Sequence, residues 1–98
     1  MYKEIDSYQL KKILNQENVN LIDIRDNYLY SFGTIGNAKN IPVNFLITNP
    51  SNYLDKNEVY YIFCNYGSTS TRLCEILSKS GYSVVNIIDG YQGYKDSI

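Results

Sequence analysis

Histidine is absent from the 98 residues of this chain. That absence removes the imidazole base of Cys–His hydrolases, so papain-like chemistry is excluded. Cysteine occurs only at 64 and 74, too few for a disulfide framework and at the wrong spacing for a CxxC redox motif. Two thiols without imidazole do not supply the four ligands of an ordinary structural zinc site, and neither a metal nor a cofactor is expected. Charge excess is missing as well: nine basic residues against ten acidic ones leave a net charge of −1. The eleven tyrosines therefore lack the Lys and Arg that a nucleic-acid stacking surface needs for its phosphate contacts. No apolar run approaches the roughly 20 residues that cross a bilayer. The segment Met1-Tyr2-Lys3-Glu4-Ile5-Asp6 also lacks the long apolar stretch of a signal peptide. Nucleic acid and membrane are both excluded as expected partners, and the cytoplasm is the expected location.

What remains is ordinary for a soluble globular chain, with 44% apolar and 19% charged residues, and residues 1–98 are expected to form one domain. Asp6 or Ser7 suits the cap of a first helix with Leu10, Ile13 and Leu14 on its apolar face. Residues 19–24 read as a buried β-branched strand that ends in the charged corner Asp23-Ile24-Arg25-Asp26. Residues 27–32 read as a short helix, 33–37 as a turn, and 39–42 as a short strand stopped by proline. Residues 44–48 fit no single element, and 49–52 read as loop. A strand at 58–63 precedes a helix from about Ser70 to Lys79, with Leu73, Ile76 and Leu77 on one face and Gly81 at its C′ position. Residues 84–88 form the last strand and 91–97 a short final helix. Strands alternating with helices over such short connections predict an α/β fold, a parallel sheet covered on both faces. Its ligands gather at the carboxyl ends of the strands, where Cys64 and the Asp23–Asp26 corner both lie.

Cys64 sits where the strand Glu58-Val59-Tyr60-Tyr61-Ile62-Phe63 gives way to the small polar loop Asn65-Tyr66-Gly67-Ser68-Thr69-Ser70. A cysteine at such a turn faces the unpaired N–H groups and the positive dipole end of the following helix, which favour an anion at sulfur. Successive N–H groups of residues 64–70 can curl into an anion-binding nest. Gly67 permits the tight turn, and Ser70 suits the N-cap of the helix. Tyr66 either lines the pocket mouth or packs on the loop. Cys74, among Leu73, Ile76 and Leu77, reads as a core thiol. Asp23 and Arg25 alternate around Ile24 and lean to the same side, the arrangement of a structural ion pair or a loop-capping bond. Arg25 can in addition lend positive potential to the rim.

Five motifs in one order resemble the rhodanese-like domains, a family of single-domain sulfurtransferases, over residues 4–96. Leu21-Ile22-Asp23-Ile24-Arg25-Asp26 is similar to the family's LIDVRD strand end. Residues 33–42, from Gly33-Thr34-Ile35-Gly36 to Ile41-Pro42, are similar to its GHIPGAxNIP segment. Residues 64–70 resemble its CxxGxRS active loop, residues 77–82 its LxxxGY helix exit, and Asp89-Gly90-Tyr91-Gln92-Gly93-Tyr94 its closing GGxxxW. The resemblance implies a central five-stranded parallel sheet with helices on both faces. It also implies a persulfide mechanism: Cys64 takes sulfane sulfur from a small donor such as thiosulfate, or from a protein persulfide partner, and passes it to a thiol or cyanide.

The departures bear on the substrate. Thr69 stands where many relatives carry Arg, Thr34 where they often have His, and Tyr94 where they often have Trp. A guanidinium grips a sulfonate through charge, whereas a threonine hydroxyl offers one hydrogen bond, a difference of about 1.5–3 kcal/mol. This makes thiosulfate a poor donor unless Arg72 compensates, and Arg72 on its helix can equally face solvent. Two other function classes compete. A cysteine phosphatase or arsenate-reductase-like enzyme needs Arg six residues after the nucleophile, where this chain has Ser70. A non-enzymatic binding or regulatory module is favoured by the missing loop Arg and disfavoured by the intact cysteine and glycine.

Overall fold

The computed structural model describes residues 2–97. In chain order the elements are β1 (Lys3–Ile5), α1 (Ser7–Leu14), β2 (Asn20–Asp23), α2 (Asn27–Ser31), β3 (Lys39–Asn40), α3 (Val43–Thr48), a 3-10 turn (Pro50–Asn52), β4 (Val59–Phe63), α4 (Ser68–Lys79), β5 (Ser83–Ile87) and α5 (Gly90–Asp96). The strands make one sheet in the order β1-β5-β4-β2-β3, and every pairing is parallel.

Side-chain alternation along the central strands divides the core in two. Ile22, Ile24, Ile62 and Val84 meet Leu46 of α3 and Leu73, Cys74 and Leu77 of α4 on one face. Leu21, Phe63 and Ile87 meet Leu10 of α1, Ile35 and Ala38 on the other, where Tyr91 and Tyr94 of α5 also pack. Strands buried on both faces read as near-continuous apolar runs, which explains why β2, β4 and β5 stand out in the sequence.

Local chemistry fixes the helix ends. Asp6 and Gln9 form a reciprocal capping box at the start of α1: Gln9 N–H donates to Asp6 Oδ1 at 2.8 Å, and Asp6 N–H donates to Gln9 Oε1 at 2.9 Å. At the end of α4, Tyr82 N–H donates to the Leu77 carbonyl and Gly81 N–H to the Ser78 carbonyl, each at 3.1 Å, a Schellman motif with Gly81 at C′.

Four sequence expectations need correction. The strand β1 was not expected, because Lys3-Glu4-Ile5 carries no strand pattern of its own. Backbone pairing of Lys3 with Val85 and Ile5 with Ile87 makes it an edge strand. Residues 43–48 are helical and 50–52 form a 3-10 turn. The helix α4 begins at Ser68 with Gly67 as N-cap, so Ser70 is not the cap but lies inside the first turn. Ile76 is 43% exposed and does not share the face of Leu73 and Leu77; Ser70 and Cys74 complete that face, at the i, i+3, i+4, i+7 spacing of one helical stripe. This assignment predicts that Leu77→Ala, emptying a site that is 1% exposed, costs about 2–5 kcal/mol in denaturant unfolding. Ile76→Ala is expected to cost no more than about 1 kcal/mol.

Candidate functional site

Cys64 is the first residue beyond β4, on the face that carries α4, and is 7% exposed. Its surroundings are set by where the backbone carbonyls of the loop are drawn. Tyr91 N–H donates to the Cys64 carbonyl at 2.9 Å and Gln92 N–H donates to the Asn65 carbonyl at 3.0 Å, so the first turn of α5 holds both oxygens. Gly90 is required at this junction: with φ +62° it adopts a left-handed conformation, and a Cβ there would lie 2.6 Å from each of those carbonyl oxygens.

The chain then reverses at Gly67, φ +107° and ψ −20°, where a Cβ would run into the Ile88 carbonyl oxygen. This turn brings two amides onto the sulfur. Gly67 N–H donates to Cys64 Sγ at 3.2 Å and Ser70 N–H at 3.3 Å. The thiol donates to Ser70 Oγ at 3.4 Å, and that hydroxyl donates to the Gly67 carbonyl at 3.2 Å. Sγ thus rests on the N-terminus of a twelve-residue helix, α4, among converging donors. Such a place stabilises negative charge on sulfur, and on an atom bonded to it, without a separate cationic side chain.

The other expected site residues divide into two groups. Gly67 and Ser70 are buried at the sulfur; Asn65 is half-buried; Ser68, Thr69 and Arg72 are exposed, and so is Tyr66, at 69%. Tyr66 therefore lies open at the mouth of the loop instead of packing down on it.

Asp23 and Arg25 are buried and bonded to each other. The Asp23 carboxylate accepts from Arg25 Nη2 at 2.7 Å, Arg25 Nε at 3.0 and 3.2 Å, the Arg25 backbone N–H at 3.0 Å and Thr34 Oγ1 at 2.8 Å. The guanidinium also donates to the Gly33 carbonyl at 2.6 Å and lies over the Tyr91 ring, Cζ 4.0 Å from its centroid. Its charge is committed to this network, which ties the 33–34 turn and α5 to the end of β2. Loss of either ion-pair partner leaves a buried charge uncompensated, a cost of about 3–5 kcal/mol.

Four contributors went unnoticed in the sequence as site residues. Gly90 and Tyr91 were read only as a closing motif. Thr71 and Asn86 form a chain of hydrogen bonds behind Gly67. The signal for Asn86 is visible in hindsight as the one amide inside the apolar run Val84-Val85-Asn86-Ile87-Ile88. Among the described residues, no group of three or more carboxylate or thiol side chains is placed to hold a metal ion. A groove of about 800 Å³ opens at the opposite ends of the strands, lined by Lys3, Asn20, Val59 and Ser83, and does not include Cys64.

Comparison with known proteins agrees with this fold. A family model described as a rhodanese-like domain matches residues 6–97. The thiosulfate sulfurtransferase GlpE of Coxiella burnetii is 25% identical over 97% of this chain and 89% of its own length. YrkF of Bacillus subtilis, named as a candidate sulfur carrier protein, is 26% identical over 86% of this chain, which spans only 45% of that protein. The crystal structure of a rhodanese-like domain protein from Staphylococcus aureus superimposes with a TM-score of 0.83 and 35% identity, covering 94% of this chain and 90% of that one.

Cys74 behaves differently from Cys64. It is fully buried in α4, and its thiol is pushed up to about 12, chiefly by burial, with smaller contributions from the Cys64 and Glu4 charges. The folded thiol therefore keeps its proton in a range where the unfolded one, with an ordinary value of 9.0, releases it. Unfolding between these values releases a proton, so stability is unaffected below 9.0 and falls as pH rises through the window. Denaturant unfolding from neutral pH to strongly alkaline pH is expected to show a smaller loss of stability in Cys74→Ala than in the parent chain.

Proposed function

Because the chain belongs to the rhodanese-like domain family, we propose that it is a sulfurtransferase that carries sulfane sulfur as a persulfide on Cys64. The observation that carries this reading is the pair of backbone N–H groups, from Gly67 and Ser70, converging on Sγ at the start of α4. The Cys64 thiolate attacks the outer sulfur of a donor, forming a new S–S bond. The donor's bond to that sulfur breaks, and its electron pair leaves with sulfite or a thiolate. The outer sulfur of Cys64–S–S⁻ carries the negative charge at the helix N-terminus. An acceptor thiolate or cyanide then attacks this outer sulfur, and the electron pair of the broken bond returns to Sγ. No step requires a general base once sulfur is anionic, which fits a chain without histidine.

The chemistry of the loop bears on the donor. Thiosulfate brings two negative charges to a site whose loop residues 64–70 include no cation, and Arg25 is held by Asp23. An organic or protein-bound persulfide brings fewer charges and meets less repulsion. The partner is accordingly a small sulfur donor or a protein persulfide, with a thiol or cyanide as acceptor. No described helix is long and apolar enough to cross a membrane. Residues 1–98 act as one domain and work in the cytoplasm, where thiols stay reduced. A second reading, a binding module that retains the fold, is favoured by one observation: Thr69 is exposed and uncharged where a guanidinium would hold an anionic substrate.

Mass spectrometry after incubation with thiosulfate or an organic persulfide separates the two. The parent chain is expected to gain a single sulfur atom on Cys64 and to pass it to cyanide or a thiol. The variant Cys64→Ser, folded by circular dichroism, is expected to gain none. Undiminished transfer by that variant overturns the assignment, and a parent chain that takes sulfur from neither donor leaves the binding module.

A further inference from the structure

Asn86 is a fully buried amide in β5, with Val85 and Ile87 on either side of it. A polar side chain in such a place is retained by the hydrogen bonds it makes. Its Nδ2 donates to Thr71 Oγ1 at 2.8 Å and to Glu4 Oε2 at 3.3 Å, while its Oδ1 has no partner among the described residues. Occupied by the amide, Thr71 Oγ1 turns its own proton to the Gly67 carbonyl at 2.7 Å. Thr71 N–H reaches the same carbonyl at 3.0 Å, and the Ser70 hydroxyl reaches it at 3.2 Å. A carbonyl oxygen offers two lone pairs, so these three donors exceed what it needs by one.

The surplus acquires meaning when the sulfur changes state. As a thiol, Cys64 gives its proton to Ser70 Oγ, and the Ser70 proton is directed at Gly67. A thiolate has no proton to give and only accepts. Rotation about the Ser70 Cβ–Oγ bond then turns the hydroxyl proton to sulfur, at the loss of its bond to Gly67. The Gly67 carbonyl then keeps two donors because Thr71 supplies both, its N–H and its hydroxyl.

We propose that Thr71 and Asn86 are positioning residues, which hold the Gly67 carbonyl by themselves and thereby release the Ser70 hydroxyl to become a third donor to the Cys64 anion. The inference rests on the reading of Cys64 as the reacting sulfur and deepens it.

The test is the rate of Cys64 alkylation by iodoacetamide at neutral pH, followed residue by residue by mass spectrometry in the full chain. Thr71→Val and Asn86→Leu are each expected to slow Cys64 about five- to tenfold, the upper part of the net scale of one hydrogen bond. Thr71→Ser, which keeps the hydroxyl, is expected to stay within about twofold of the parent on the same scale. In a Ser70→Ala background there is no hydroxyl to release, so Thr71→Val is expected to change the rate less than about twofold. A purely structural role for Thr71 would instead produce the same slowing in both backgrounds. That additive result overturns the proposal, as does a Thr71→Val rate equal to the parent's. Thr71→Val is isosteric and its site only half-buried, so the series stands on it if Asn86→Leu does not fold. Alkylation needs no sulfur donor. A chain that shows the expected non-additivity yet never gains sulfur sinks the sulfurtransferase reading and leaves this inference standing.

Discussion

Two peptide N–H groups on one sulfur, from Gly67 and Ser70, are the interaction around which this molecule is arranged. Amides can point at Sγ only if the carbonyls of the same loop are satisfied elsewhere, because an unpaired buried carbonyl costs about 1–3 kcal/mol. Two helices take them. The start of α5 holds the oxygens of Cys64 and Asn65, and the first turn of α4 holds that of Gly67. Glycine at 67 and 90 is a condition of this arrangement: each has positive φ, and at each a side chain would strike a backbone carbonyl.

The remainder of the rim keeps α5 where the loop needs it. Arg25, locked to Asp23, reaches the Gly33 carbonyl and stacks on Tyr91, the residue whose N–H holds the Cys64 carbonyl. From the opposite side, the Asp89 carboxylate accepts from the Ser7 N–H at 2.9 Å and from its hydroxyl at 2.7 Å, which ties the start of α5 to the start of α1. Buried charge in this fold is thus spent on holding backbone in position. Charge-assisted hydrogen bonds are stronger than neutral ones and more exacting in geometry, which suits that task.

The sequence made some of this legible and hid the rest for identifiable reasons. The strands β2, β4 and β5 were visible because burial on both faces demands β-branched and apolar runs, and the first helix because Asp6 or Ser7 suited its cap and Leu10, Ile13 and Leu14 recur at helical spacing. By contrast, β1 exists through pairing with β5, which no three-residue pattern encodes. The start of α4 was misplaced by two residues. Ser70 has the chemistry of a cap, but a left-handed glycine, invisible to side-chain reasoning, begins the helix three residues earlier, and the serine faces sulfur instead. At the site, Cys64, its loop and the helix behind it were legible from a strand running into small polar residues. Which amides converge, and the support given by Thr71 and Asn86, depend on distances between elements far apart in the chain.

The bond from Tyr91 to the Cys64 carbonyl spans 27 positions toward the C-terminus, and Gln92 to Asn65 spans the same. During synthesis the thiol therefore leaves the ribosome well before the amides that organise its loop. A nascent chain cut off before residue 90 carries the cysteine without its setting. The order of the loop around this sulfur is in that sense a late acquisition, gained when α5 takes up the carbonyls of Cys64 and Asn65.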